Sequence, residues 1–172
     1  MIKTSLKTAS LLPLLALLVS ACQPLPRVSA PPAAAADSAK TTLQNANKAL
    51  IQRFYDEVAN AKNMDSLKEL MDPKVVPHEY GLVMANEAQI FTGMPDLKAT
   101  VSLWVLQDDL VTSVVNLKGT QTGEFLGVAP TGKTVDVTNI DIWRIKNGKI
   151  VEVWHNFPIS DMLAQISPPA KK

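Results

Sequence analysis

The 172-residue sequence is short of the residues that most often announce chemistry: one cysteine, two histidines, seven glycines, and an aromatic share of 5%. The single cysteine, Cys22, excludes an internal disulfide and any zinc site built from several cysteines. His78 and His155 show no HExxH-type spacing, so no metal and no cofactor is expected. Basic and acidic residues nearly balance, 17 against 16, and no basic run occurs. Phosphate binding needs clustered Lys and Arg, so nucleic acid is not an expected partner. No apolar run reaches the roughly 20 residues that span a bilayer.

What is present begins at the N-terminus. Lys3 and Lys7 precede an apolar stretch from Leu11 to Val19, and small residues then lead to Cys22. Positive, apolar and small-residue zones in that order make a secretory signal. The stretch Val19-Ser20-Ala21-Cys22 resembles the lipobox of bacterial lipoproteins. That resemblance implies cleavage after residue 21, acylation of Cys22, and a membrane-tethered product. With Gln23 next to the cysteine rather than Asp, it implies the outer membrane, facing the periplasm. Several acyl chains anchor firmly, at about 0.8 kcal/mol per buried CH₂.

Residues 1–21 are therefore expected to be the signal peptide and 22–42 a tether, since Pro24, Pro26, Pro31 and Pro32 lie beside four alanines. The remaining length suits one domain, over 43–166, with a loose tail at 167–172. Leu43, Ala46, Leu50, Phe54, Val58 and Ala61 recur at helical spacing, predicting a helix from about Thr41 to Ala61. A shorter helix with Leu67, Leu70 and Met71 ends before Pro73. The second half is rich in Val, Ile, Thr and Trp and predicts strands over Leu97–Leu106, Leu110–Leu117, Thr134–Ile145 and Lys149–Phe157. Asn147-Gly148 marks a hairpin between the last two. Helices followed by an antiparallel meander give an α+β domain with helices on one face of a curved sheet.

Several segments carry a second resemblance. Gly119-Thr120-Gln121-Thr122-Gly123-Glu124-Phe125-Leu126-Gly127, Pro130-Thr131-Gly132-Lys133, Ile140-Asp141-Ile142-Trp143-Arg144-Ile145 and Gly148-Lys149-Ile150-Val151-Glu152-Val153-Trp154 resemble the SnoaL-like polyketide cyclases, or ester cyclases. Met94-Pro95-Asp96-Leu97 is similar to that family's entry to a strand. The family resemblance implies the nuclear-transport-factor-2-like cone, in which N-terminal helices lean on a strongly curved antiparallel sheet around a pocket. The same fold serves isomerases, dehydratases and binding domains, so it does not fix the chemistry.

Strand alternation places candidates in that pocket. If Asp141 faces inward, so do Val137, Asn139 and Trp143; on the last strand Val153, His155 and Phe157 share a face, with Trp154 opposite. By resemblance, Asp141 is the general acid/base of an aldol closure, and a steroid isomerase of this fold has a helix tyrosine placed similarly to Tyr55. His78 occupies a place where many relatives have a histidine at the pocket mouth. Two positions depart from the pattern: Gln121 stands where relatives commonly have histidine, and His155 where they commonly have Asp. Gln121 cannot titrate, so a proton relay would use Asp141 with His155.

The expected catalytic set is thus Asp141, His155 and His78, with Tyr55, Gln121, Asn139, Trp143, Val153 and Phe157 around a small apolar carbonyl compound. The expected activity is a cofactor-free cyclase or isomerase. The alternative is a non-catalytic lipoprotein holding a small lipophilic ligand or a protein partner. The outward residues Ile140, Ile142 and Trp154 could form the seam of a homodimer.

Overall fold

The structure, a computed structural model, describes residues 33–78 and 89–167. The signal and lipidation expectations, Cys22 included, and the tail from 168 lie outside the described residues. No described helix is long and apolar enough to cross a membrane.

Helix α1 covers Ala33–Arg53. It begins about eight residues before the expected Thr41, inside the stretch read as tether. Four successive alanines are the strongest helix formers available, and no proline follows them until Pro73. Its buried face is also rotated from the predicted stripe: Asn47, Ile51, Phe54, Tyr55 and Val58 point inward, while Leu43 is exposed. Residues Phe54–Asn60 then continue the helix as a π-helical turn. With more residues in each turn than an α-helix, it brings adjacent Phe54 and Tyr55 both inside. Asn60 then locks this turn to the sheet, its amide exchanging hydrogen bonds of 3.0 and 2.8 Å with the Ala99 backbone.

Asn63 caps helix α2, Met64–Leu70, by accepting from the Asp65 and Ser66 backbone N–H groups. Strand β1, Met71–Pro77, follows at once. Two prolines concealed it, and they are tolerated because β1 is an edge strand. After helical residues 89–93, here α3, come β2 (Lys98–Gln107), β3 (Leu110–Thr120), β4 (Thr134–Lys146), β5 (Lys149–Asn156) and helix α4 (Ile159–Ile166). The sequence had assigned no element to α4.

The sheet order is β1-β5-β4-β3-β2. Four strands form the predicted antiparallel meander, and β1 adds a parallel edge beside β5. The β4–β5 turn has positive φ at both Asn147 and Gly148, the type I′ geometry that favours Asn-Gly. The glycine motif has a packing reason: a Cβ on Gly123 would come within 2.2 Å of the Thr92 carbonyl oxygen.

β4 alternates strictly, burying Val135, Val137, Asn139, Asp141, Trp143 and Ile145. The apolar ones among them meet Phe54, Tyr55, Val111, Val115, Met162 and Ile166 in one core. The outer face leaves Leu103, Val105, Ile140 and Ile142 exposed.

Candidate functional site

Register builds the site. Ser113 on β3, Asp141 on β4 and His155 on β5 are direct cross-strand partners, a polar row across an otherwise apolar inner face. Tyr55 reaches this row from the π-helical turn above. An aspartate that is 1% exposed must find partners for its carboxylate, and Asp141 finds three. Its Oδ1 accepts from Asn139 Nδ2 at 2.8 Å and lies 2.6 Å from His155 Nδ1. Its Oδ2 accepts from the Tyr55 hydroxyl at 2.8 Å.

The tyrosine is one link of a longer chain. Trp143 Nε1 donates to Ser113 Oγ at 3.1 Å, and Ser113 Oγ lies 2.7 Å from Tyr55 Oη. Since indole N–H only donates and Tyr55 donates to Asp141, the Ser113 hydroxyl donates to Tyr55. Every dipole in the chain therefore points its hydrogen toward the carboxylate, a cooperative arrangement. Burial, and then the negative charge of Asp141, push the Tyr55 phenol well above its ordinary value, so it remains a donor. A carboxylate oxygen can accept about two hydrogen bonds. Oδ1 takes both of its own, whereas these contacts leave Oδ2 with one lone pair.

Asp141, Asn139, His155, Tyr55 and Phe157 line a cavity whose walls are apolar, among them Phe54, Phe91 and Leu117. Its volume is about 30 Å³, the share of one water molecule. The cavity is partly open, so a larger ligand extends through its open side or displaces those walls.

Other candidates lie elsewhere. Gln121 is fully buried but outside the cavity, because its amide is spent on the β3–β4 connection. The two Nε2 hydrogens are shared among the carbonyls of Gly123, Val128 and Ala129, and Oε1 accepts from Thr131 N–H and Oγ1. Its expected contact with a ligand is therefore replaced by a structural one. His78 is not at the cavity either. It stacks on Trp154 at 4.3 Å, on the opposite face of the sheet, and lies 3.0 Å from Glu152. That hydrogen bond, ahead of Arg144, holds the Glu152 carboxyl below its usual range.

Trp143 and Val153 face inward as the alternation required, yet they stand behind the cavity rather than on its surface. Trp143 packs on Phe54 at 4.7 Å and meets His155 edge-on at 5.0 Å, which fixes the imidazole plane. Ser113 is the site residue that sequence reading missed; its inward position on β3, opposite Asp141, was the available signal. Among the described residues, no group of three His, Cys, Asp or Glu side chains is placed to hold a metal ion.

A family model described as SnoaL-like polyketide cyclase matches residues 49–166. The chain belongs to that family. No curated protein matches the sequence. Among solved structures, a protein of Jannaschia sp. CCS1 assigned as a SnoaL-like polyketide cyclase is 28% identical, with TM-score 0.67 over 74% of this chain and 95% of that one. IdmH of Streptomyces antibioticus, assigned as a polyketide cyclase, is 29% identical, with TM-score 0.62 over 69% and 96%. AclR of Streptomyces galilaeus, assigned as a hydroxylase, has TM-score 0.65 over 75% and 91%, but at 23% identity it supports the fold alone. The SnoaL-like fold thus holds Asp141 in the inner face of an open, five-stranded sheet.

Proposed function

We propose that this SnoaL-like chain is a cofactor-free cyclase or isomerase that moves a proton on a small, largely apolar carbonyl compound. The observation that carries the reading is the buried Asp141 carboxylate, 2.6 Å from His155 and bonded to Tyr55 at the cavity wall. Asp141 Oδ2 takes a proton from the carbon beside the carbonyl, and the C–H electron pair moves into the carbonyl to give an enolate. In an isomerisation the proton returns at another carbon. In a cyclisation the enolate carbon bonds to a second carbonyl carbon, and the resulting alkoxide takes the proton. His155, partly exposed, exchanges protons between Asp141 and solvent. In this state the Tyr55 and Asn139 donors are committed to Asp141, so they tune the base rather than await an enolate oxygen.

The test uses 2-tetralone, an apolar enolisable ketone, with deuterium incorporation at its α-carbons followed by NMR in D₂O. Wild-type protein accelerates incorporation and Asp141→Asn slows it by about 10²-fold or more. Equal rates with and without protein would remove the reading.

A second reading is favoured by the outer sheet face, where Leu103 and Val105 are each 54% exposed beside Ile140 and Ile142. Here that face docks a second copy of the chain. Light scattering should give twice the monomer mass, and Ile140→Lys should halve it. We further propose, from the lipobox-like stretch before Cys22, that the chain is lipid-tethered to the outer membrane on its periplasmic side. Fatty-acid labelling that persists in Cys22→Ser would refute this.

A further inference from the structure

A buried polar atom of Asn139 stands apart from the proton network described above. Asn139 is 3% exposed and lines the cavity, and its Oδ1 has no hydrogen-bond partner. The orientation of this amide is forced. Asp141 Oδ1 is 2.8 Å away and an ionised carboxylate only accepts, so the NH₂ end must face it. Turning the amide over would set two acceptors against each other. Oδ1 therefore faces away from Asp141. Buried acceptors are rarely left unmet, so an orphan on a cavity wall marks the place of a missing donor.

We infer that Asn139 is the specificity-determining residue of the cavity, its Oδ1 accepting a hydrogen bond from a ligand hydroxyl. This rests on the reading that the cavity receives a ligand, and it narrows the class. The preferred ligand carries an O–H on an apolar body, as an enolisable hydroxy-ketone or a phenol does. In the resting protein one water fits the space and can supply the donor. A ligand hydroxyl replaces that water without loss of hydrogen bonding, whereas an ether or a bare hydrocarbon displaces it and leaves Oδ1 unmet. Sites that hydrogen-bond a hydroxyl reject analogues lacking it far more strongly than apolar pockets reject a methylene. The apolar walls supply affinity, and Asn139 supplies the choice.

The probes are 2-naphthol and 2-methoxynaphthalene, matched in ring system and differing in the donor, with binding measured by calorimetry. Wild-type protein should bind the naphthol at least about tenfold more tightly. Asn139→Leu, which keeps the volume and removes the acceptor, should erase that preference. Should Asn139→Leu fail to fold, a crystal structure of the wild type with 2-naphthol decides: the phenol oxygen belongs within hydrogen-bond distance of Oδ1. Equal binding of the two probes by the wild type, a preference that survives Asn139→Leu, or a phenol oxygen elsewhere overturns the inference and leaves the acid/base reading standing. Binding of neither probe overturns the ligand cavity itself, and the inference with it.

Discussion

Replacing Tyr55 by Phe removes one oxygen from the middle of the buried chain and nothing else. The phenol is 3% exposed, so the variant keeps its ring packing on Phe54 and Trp143. It loses the 2.8 Å bond to the Asp141 carboxylate and the 2.7 Å contact with Ser113. A hydrogen bond to a charged group contributes about 1.5–3 kcal/mol and a neutral one about 0.5–1.5. Relief from burying the phenol hydroxyl offsets part of that sum. The net expectation is a destabilisation of about 2–3 kcal/mol, measured as a lower urea midpoint at unchanged slope. Ser113→Ala should cost about 1 kcal/mol, and the double variant should fall short of the sum by at least about 0.5 kcal/mol, because one contact is counted twice. Single variants within about 0.3 kcal/mol of wild type, or a strictly additive double variant, would refute the chain of donors.

Tyr55 also sets a pH dependence. Burial and the Asp141 charge raise its phenol above the ordinary 10.0, so the folded chain holds that proton more tightly than the unfolded one. Such a group adds stability below its unfolded value and loses it as pH rises toward the folded one, so the gap between wild type and Tyr55→Phe should narrow above pH 10.0; urea midpoints of both on either side of that pH check it. Gln121→Leu strips the β3–β4 connection of its hydrogen bonds and should cost about 2–4 kcal/mol by the same assay. Gly123→Ala drives a Cβ into the Thr92 carbonyl and should cost about 1–3 kcal/mol, visible as a lower melting temperature.

Period and turn chemistry made the meander legible. Strand alternation put Asp141, Asn139 and Trp143 on one face, and Asn147-Gly148 fixed the last hairpin. What stayed hidden depends on long-range partners. β1 carries two prolines that only an edge position tolerates, and its parallel pairing with β5 leaves no local mark. The π-helical turn that brings Tyr55 inside beside Phe54 leaves no mark in the spacing, so Tyr55 entered the expected site by resemblance and not by its place on the apolar stripe. Gln121 occupied the right motif, but whether an amide faces a ligand or a loop depends on where five backbone and side-chain partners fold. Ser113 looked like one more small residue in a valine-rich strand until register set it opposite Asp141.

The account turns on Asp141 and His155 acting as a unit at 2.6 Å. The most direct measurement is the rate of deuterium entry into 2-tetralone for wild type, Asp141→Asn, His155→Gln and the double variant. Groups that share one task lose it together, so the double variant should be no slower than Asp141→Asn alone. Losses that multiply, or an Asp141→Asn protein as fast as wild type, would contradict it.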